Sequence, residues 1–251
     1  MLAEHFDDCP AYVRSLHYLL DFYADRARRP GLTGTPGPLI SAYKVRPPVL
    51  RMVLQELVPL AQENPAQGLA LCDALWAESF LEMRQLGAQL LGQIPPEPPE
   101  PIVERVQRWI TPQLEFFLLE CVLQDSLERV RREHPEMMVK LVQGWLESGQ
   151  KFQQQIGLRA LLPLIEDQRF ENLPAFFRLA QPFCRVAPPG LRPDVLDVIA
   201  ALARRSPQET AYFLRQTLTS PEAPDAPWLV RQSLEAFPAD IQNGLRQAAR
   251  K

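Results

Sequence analysis

The sequence predicts an all-α chain, folded as an open superhelix of stacked helix pairs with a concave face. Three observations carry that expectation. Apolar residues recur at helical spacing along most of its length. Proline is plentiful, at 26 of 251 residues, and falls between apolar segments, because it opens helices well and interrupts them badly. Glycine is scarce, at 11, and no period-two run of Val, Ile, Thr and aromatic residues marks a strand.

The elements follow in order. A first helix is expected from Pro10 to Arg28, with Asp8 near its N-cap and Arg26, Arg28 and Arg29 near its end, a charge order that complements the helix dipole. A Gly- and Pro-rich loop, Pro30 to Pro38, follows. Pro48 opens a second helix in which Val49, Leu50, Val53, Leu54, Leu57 and Val58 line one face. Asn64-Pro65 ends it and starts a third, through Leu71 and Leu75 to Trp76, and a fourth runs from Ser79 to Ile94.

Pro95 to Pro101, PPEPPEP, is expected to be extended polyproline II and not helical. It reads either as a docking motif or as a stiff connector, and it is the candidate internal boundary of what is otherwise one helical-repeat domain, 1–251. Beyond it, Thr111-Pro112 reads as an N-cap and first helical residue, and Pro135 starts a helix with Met138, Leu141, Val142 and Trp145 on one face. Further helices are expected over Gln150–Asp167 (kinked at Pro163), Asn172–Cys184, Arg192–Arg205, Pro207–Thr219, Trp228–Phe237 and Pro238–Arg250.

One helix pair is written twice. Leu75-Trp76-Ala77-Glu78-Ser79 stands beside Gly144-Trp145-Leu146-Glu147-Ser148 about 70 residues on. With one extra residue in the second copy, Arg84-Gln85-Leu86-Gly87 meets Gln154-Gln155-Ile156-Gly157, and Leu91 meets Leu161. Trp228 and Arg231-Gln232 give a fainter third echo. A lone pair would expose an apolar face, so such units stack, which is the HEAT-like arrangement. A compact helical bundle is the competing arrangement.

Two stretches resemble the HEAT-like-repeat DNA alkylation repair glycosylases. Tyr43-Lys44-Val45-Arg46-Pro47-Pro48-Val49-Leu50-Arg51 is similar to that family's Tyr-Gly-Val-x-x-Pro-x-Leu-Arg, with Lys44 where the family carries glycine. Leu75-Trp76 through Glu82, Arg84 and Leu90-Leu91 is similar to its Leu-Trp, Glu, Arg, Leu-Leu pair, and Gly144 to Leu162, including Trp145, looks like a looser third match. The resemblance implies a fold that binds the DNA backbone in a concave cleft, where Trp side chains, a carboxylate and an arginine promote loss of a cationic alkylated purine. Carried over, the arginine pair falls on Gln154-Gln155 and the aromatic before it on Phe152; the nearest acids for the carboxylate are Glu115 and Glu120, of which Glu120 sits closer to the expected spacing. Trp109 reads either as lesion-facing or as a buried helix-end residue.

Charge bears on the same question. The net charge is −3, and the 27 basic residues are 23 arginines and four lysines. Phosphate neutralisation supplies most nonspecific affinity for DNA, and a neutral amide in place of a guanidinium loses two charge-assisted bonds. The degenerate site implies a noncatalytic scaffold that binds double-stranded DNA or a protein partner. Its expected concave-face residues are Arg84, Trp109, Lys151, Gln154, Gln155, Arg159 and Arg231; Tyr43, Arg46, Arg51, Trp76 and Trp145 are the family motif. The alternative is an active glycosylase excising 3-methyladenine or 7-methylguanine, with Glu120 as its carboxylate.

No cofactor or metal is expected. Cys9, Cys72, Cys121 and Cys184 form no CxxC, His5 and Cys9 share a face but are only two ligands, and buried free thiols are the simpler reading. No GxSxG, GxxxxGK[ST] or HExxH occurs. The N-terminus lacks the apolar stretch of a signal peptide and no run reaches membrane-span length, so a cytoplasmic monomer is expected.

Overall fold

The computed structural model describes residues 6–25 and 40–250. Its helices group into two compact units, Met1–His134 and Pro135–Lys251. The first holds α1 (Cys9–Phe22), α2 (Pro47–Glu63), α3 (Pro65–Ala77), α4 (Leu81–Leu91), α5 (Glu100–Trp109), α6 (Phe116–Cys121) and α7 (Glu128–Glu133), with a π-helical turn, Val122–Ser126, between the last two. The second holds α8 (Pro135–Glu147), α9 (Lys151–Glu166), α10 (Leu173–Arg185), α11 (Arg192–Arg205), α12 (Pro207–Leu218), α13 (Ala226–Ser233) with a 3-10 turn over Leu234–Ala236, and α14 (Ala239–Ala248). Among the described residues the only β pairing is an isolated bridge between Ser41 and Phe80.

Helix starts follow the capping signals. Asp8, Asn64 and Asn172 accept the backbone N–H groups of Ala11, Gln67 and Ala175, and a proline stands in the first turn of α1, α3 and α10. Two expectations are corrected. Thr111-Pro112 lies in a turn, and α6 starts at Phe116 because the Glu115 carboxylate caps it, accepting from Phe117 N at 2.9 Å and Leu118 N at 3.4 Å. A charged acceptor holds those orphan donors more strongly than a hydroxyl would. The proline segment is not extended throughout: Glu97–Pro98 is cis, and Glu100 and Pro101 already belong to the first turn of α5, where proline forfeits no bond. That segment also lies inside the first unit, and the division falls at His134–Pro135.

Other bounds shift less. The first helix ends at Phe22, the fourth covers only Leu81–Leu91, and Pro163 sits inside α9 three residues before its end. The Pro30–Pro38 loop, His5 and the arginines at 26, 28 and 29 lie outside the described residues.

Both written-twice pairs are helix hairpins closed on a glycine. A Cβ on Gly87 would stand 3.2 Å from the Cys72 carbonyl oxygen and the Leu75 Cβ, so α4 crosses α3 at backbone distance. Its counterpart Gly157 packs on Leu146 of α8, where a Cβ would meet Leu146 Cδ2 at 2.7 Å. Around the first crossing Leu71, Leu75, Leu86 and Leu90 are buried, and around the second Leu158, Leu161 and Leu164.

Candidate functional site

In the first unit the Tyr43–Arg51 motif leads into α2. Lys44, at the position where the resembled motif carries glycine, has a left-handed backbone with φ 59°. Buried Glu82 of α4 holds it there, its carboxylate accepting from Tyr43 N at 3.0 Å and Lys44 N at 2.6 Å. Tyr43 stacks on Phe80 at 4.3 Å, and its hydroxyl donates to Nδ1 of His17 at 2.5 Å, while His17 Nε2 donates to Glu78 at 3.1 Å. Burial, then the carboxylates of Asp21, Glu82 and Glu78, raise the Tyr43 hydroxyl above the usual tyrosine value, which keeps its proton available to His17. These contacts join α1 to the α3–α4 turn. Arg46 and Arg51 are exposed.

Three of the residues singled out by the sequence come together beside that turn. Trp76 of α3 and Trp109 of α5 stack with centroids 4.3 Å apart and planes 9° apart, and Trp109 retains only 4% of its surface. Asp73 accepts from Arg105 and Arg108, fixing α5 on α3 and so fixing the stack. Arg84 lies 5.9 Å from the Trp76 ring centre and donates its Nε to the Glu78 carbonyl at 2.6 Å. Of the two readings of Trp109, the structure gives the buried one. Glu120 stands on α6, half-buried, and two exposed aromatics precede it at helical spacing, Phe116 four residues and Phe117 three residues earlier. The signal for Phe116 in the sequence is a Phe-Phe pair ahead of an acid at helical spacing.

The second unit holds the remaining positions. Gln155 donates its amide to Asp194 at 3.0 Å, and Arg159 meets the other oxygen of Asp194 at 2.7 Å. Asp194 is 2% exposed; burial raises its carboxyl above the usual aspartate value, and Arg159 and Gln155 act against that rise. The signal for it in the sequence is an acid among Val195, Val198 and Ile199, the buried apolar residues of α11. Trp145 is buried at the end of α8, Lys151 lies across Gly190, and Arg231 is exposed with a long contact, 3.4 Å, to the Ala249 carbonyl. Gln154 turns elsewhere, into a cleft of about 410 Å³ between α8, α9 and α10 floored by Leu146, Leu179 and Phe183.

No group of three or more His, Cys, Asp or Glu among the described residues is placed to hold a metal. Cys72, Cys121 and Cys184 are buried thiols; burial pushes Cys121 and Cys184 up to about 12. No described helix is long and apolar enough to cross a membrane. The two units differ in charge: 13 basic against 18 acidic residues in the first, and 14 against 12 in the second.

Fold and site together define an all-α protein of paired helices, with the residues of a repair motif largely engaged in internal contacts. A family model described as DNA alkylation repair enzyme matches residues 40–235, and the chain belongs to that family. No curated protein and no solved structure matches the chain significantly.

Proposed function

We propose that the chain is a noncatalytic, HEAT-like binding scaffold of the alkylation repair family, with a DNA or protein partner on a concave face. The observation that carries it is the bond from Gln155 to Asp194. The position at which the family resemblance places an arginine offers a neutral amide, and that amide is already committed to a buried carboxylate. Arg159, one turn further along α9, meets the same carboxylate at 2.7 Å. Trp109, sealed against Trp76, presents no ring face to a base.

Phe116 and Glu120 on one face of α6 favour the second reading, an active alkylpurine glycosylase. One assay separates the two. The purified chain is incubated with methylated duplex DNA, and released bases are followed by chromatography. The scaffold reading expects no release of 3-methyladenine or 7-methylguanine above the spontaneous rate. Release that disappears in Glu120→Gln would overturn it. If the partner is DNA, binding is expected to weaken steeply between about 50 and 200 mM salt.

A further inference from the structure

Where α10 and α12 begin, an open pocket of about 710 Å³ lies between them. Its walls are largely rings. Phe177 of α10 and Phe213 of α12 stand with centroids 5.0 Å apart and planes 34° apart, and Tyr212, 61% exposed, lines the same pocket. The volume lies in the range of about 300–1,000 Å³ typical of ligand sites. Rings this close leave no slot between them for a flat base, which needs about 7 Å, so a ligand packs over them.

Glu171 and Glu209 line the pocket, and no basic residue does. The Glu171 carboxylate has no hydrogen bond or ion pair among the described residues, and Glu209 accepts from the Ser206 hydroxyl at 3.0 Å. The cations of the neighbouring elements are engaged elsewhere. Arg169 pairs with Asp167 and Arg204 with Glu166, while Arg205 donates to backbone carbonyls from Leu164 to Phe170. Arg178 lines the cleft between α8, α9 and α10, and Arg215 lies against Gly244 of α14. The N-termini of α10 and α12 each add about half a positive charge, so two carboxylates leave the pocket with about one negative charge.

Aromatic walls with a net negative charge favour a cation that is weakly hydrated and apolar at its surface. A bare ammonium holds its water too strongly. An alkylated ammonium carries its charge beneath methyl groups, which pack on rings while the ring faces attract the charge. We infer that the pocket binds a trimethylammonium group, seated over Phe177, Tyr212 and Phe213 with Glu171 and Glu209 facing its charge. Such a group occurs on small choline-like amines and on methylated lysine side chains. The inference is independent of the scaffold reading: it requires neither DNA nor excision of a base.

Titration of the full chain with choline, followed by NMR at the Tyr212 ring protons, tests it. A saturable shift is expected, with a dissociation constant on the order of 1 mM. The neutral isostere, in which a tert-butyl group replaces trimethylammonium, is expected to bind about fivefold more weakly or worse. Glu171→Gln/Glu209→Gln changes only exposed side chains; it is expected to abolish that preference with unchanged helical circular dichroism. A peptide carrying trimethyllysine distinguishes the sources. Binding about tenfold tighter than choline assigns a methylated protein tail, and binding no tighter assigns a small amine. No saturable shift with choline overturns the inference. So does equal binding of the neutral isostere, or a preference for choline that persists in the double variant.

Discussion

At Lys44 the chain holds a left-handed backbone that costs an L residue with a Cβ about 1–2 kcal/mol. The strain persists because Glu82 places both carboxylate oxygens on successive N–H groups, and bonds to a charged group are the stronger kind. Lys44→Gly is therefore expected to raise stability by about 1 kcal/mol, the relieved strain outweighing glycine's greater freedom in the unfolded chain. Urea denaturation measures it, and an unchanged or lowered midpoint would show that the lysine side chain contributes more than the strain removes. The sequence displays the departure from glycine at this position. It does not display the left-handed conformation, because the residue that enforces it lies 38 positions away. Gln155 is alike: its identity is legible, its bond to Asp194 is not, being 39 residues distant.

Among the helices, local signals were legible and distant ones were not. Asn64, Asn172 and the first-turn prolines mark their own helices, and the observed starts agree within a residue or two. Val122–Ser126 forms a π turn that no local signal marks. The reason lies on α4: Ser126 donates to the Ala88 carbonyl at 2.9 Å, and the Asp125 carbonyl lies against Gly92. A Cβ on Gly92 would fall 1.8 Å from that oxygen, so Gly92→Ala is expected to cost about 3 kcal/mol as the turn is forced off α4. Gly144, inside α8, is the control, since a Cβ there meets nothing within 4 Å. Gly144→Ala is expected to stabilise by about 0.5–1 kcal/mol. Thermal melts of the two variants should move in opposite directions. Similar guards operate at helix ends: Arg205 of α11 donates to the carbonyls of Leu164, Ile165, Asp167 and Phe170, closing α9 and the segment after it.

The family match runs across both compact units, although each has its own core and its own glycine-closed hairpin. Unfolding in denaturant is accordingly expected in two transitions. Trp76 and Trp109 report on the first unit, and Trp145 and Trp228 on the second. A chain carrying Trp76→Phe and Trp109→Phe should lose the fluorescence change of one transition and keep the other; coincident midpoints for both reporters would show a single cooperative structure. The two hairpins also bear on how the chain is made. In α3–α4 and α8–α9 each crossing joins residues separated by little more than one helix, so the loop to be closed is short and pairing is fast. The first hairpin is complete in sequence well before the second leaves the ribosome. Synthesis therefore delivers one finished nucleus at a time, and the apolar faces of the two units need not be exposed together in the nascent chain.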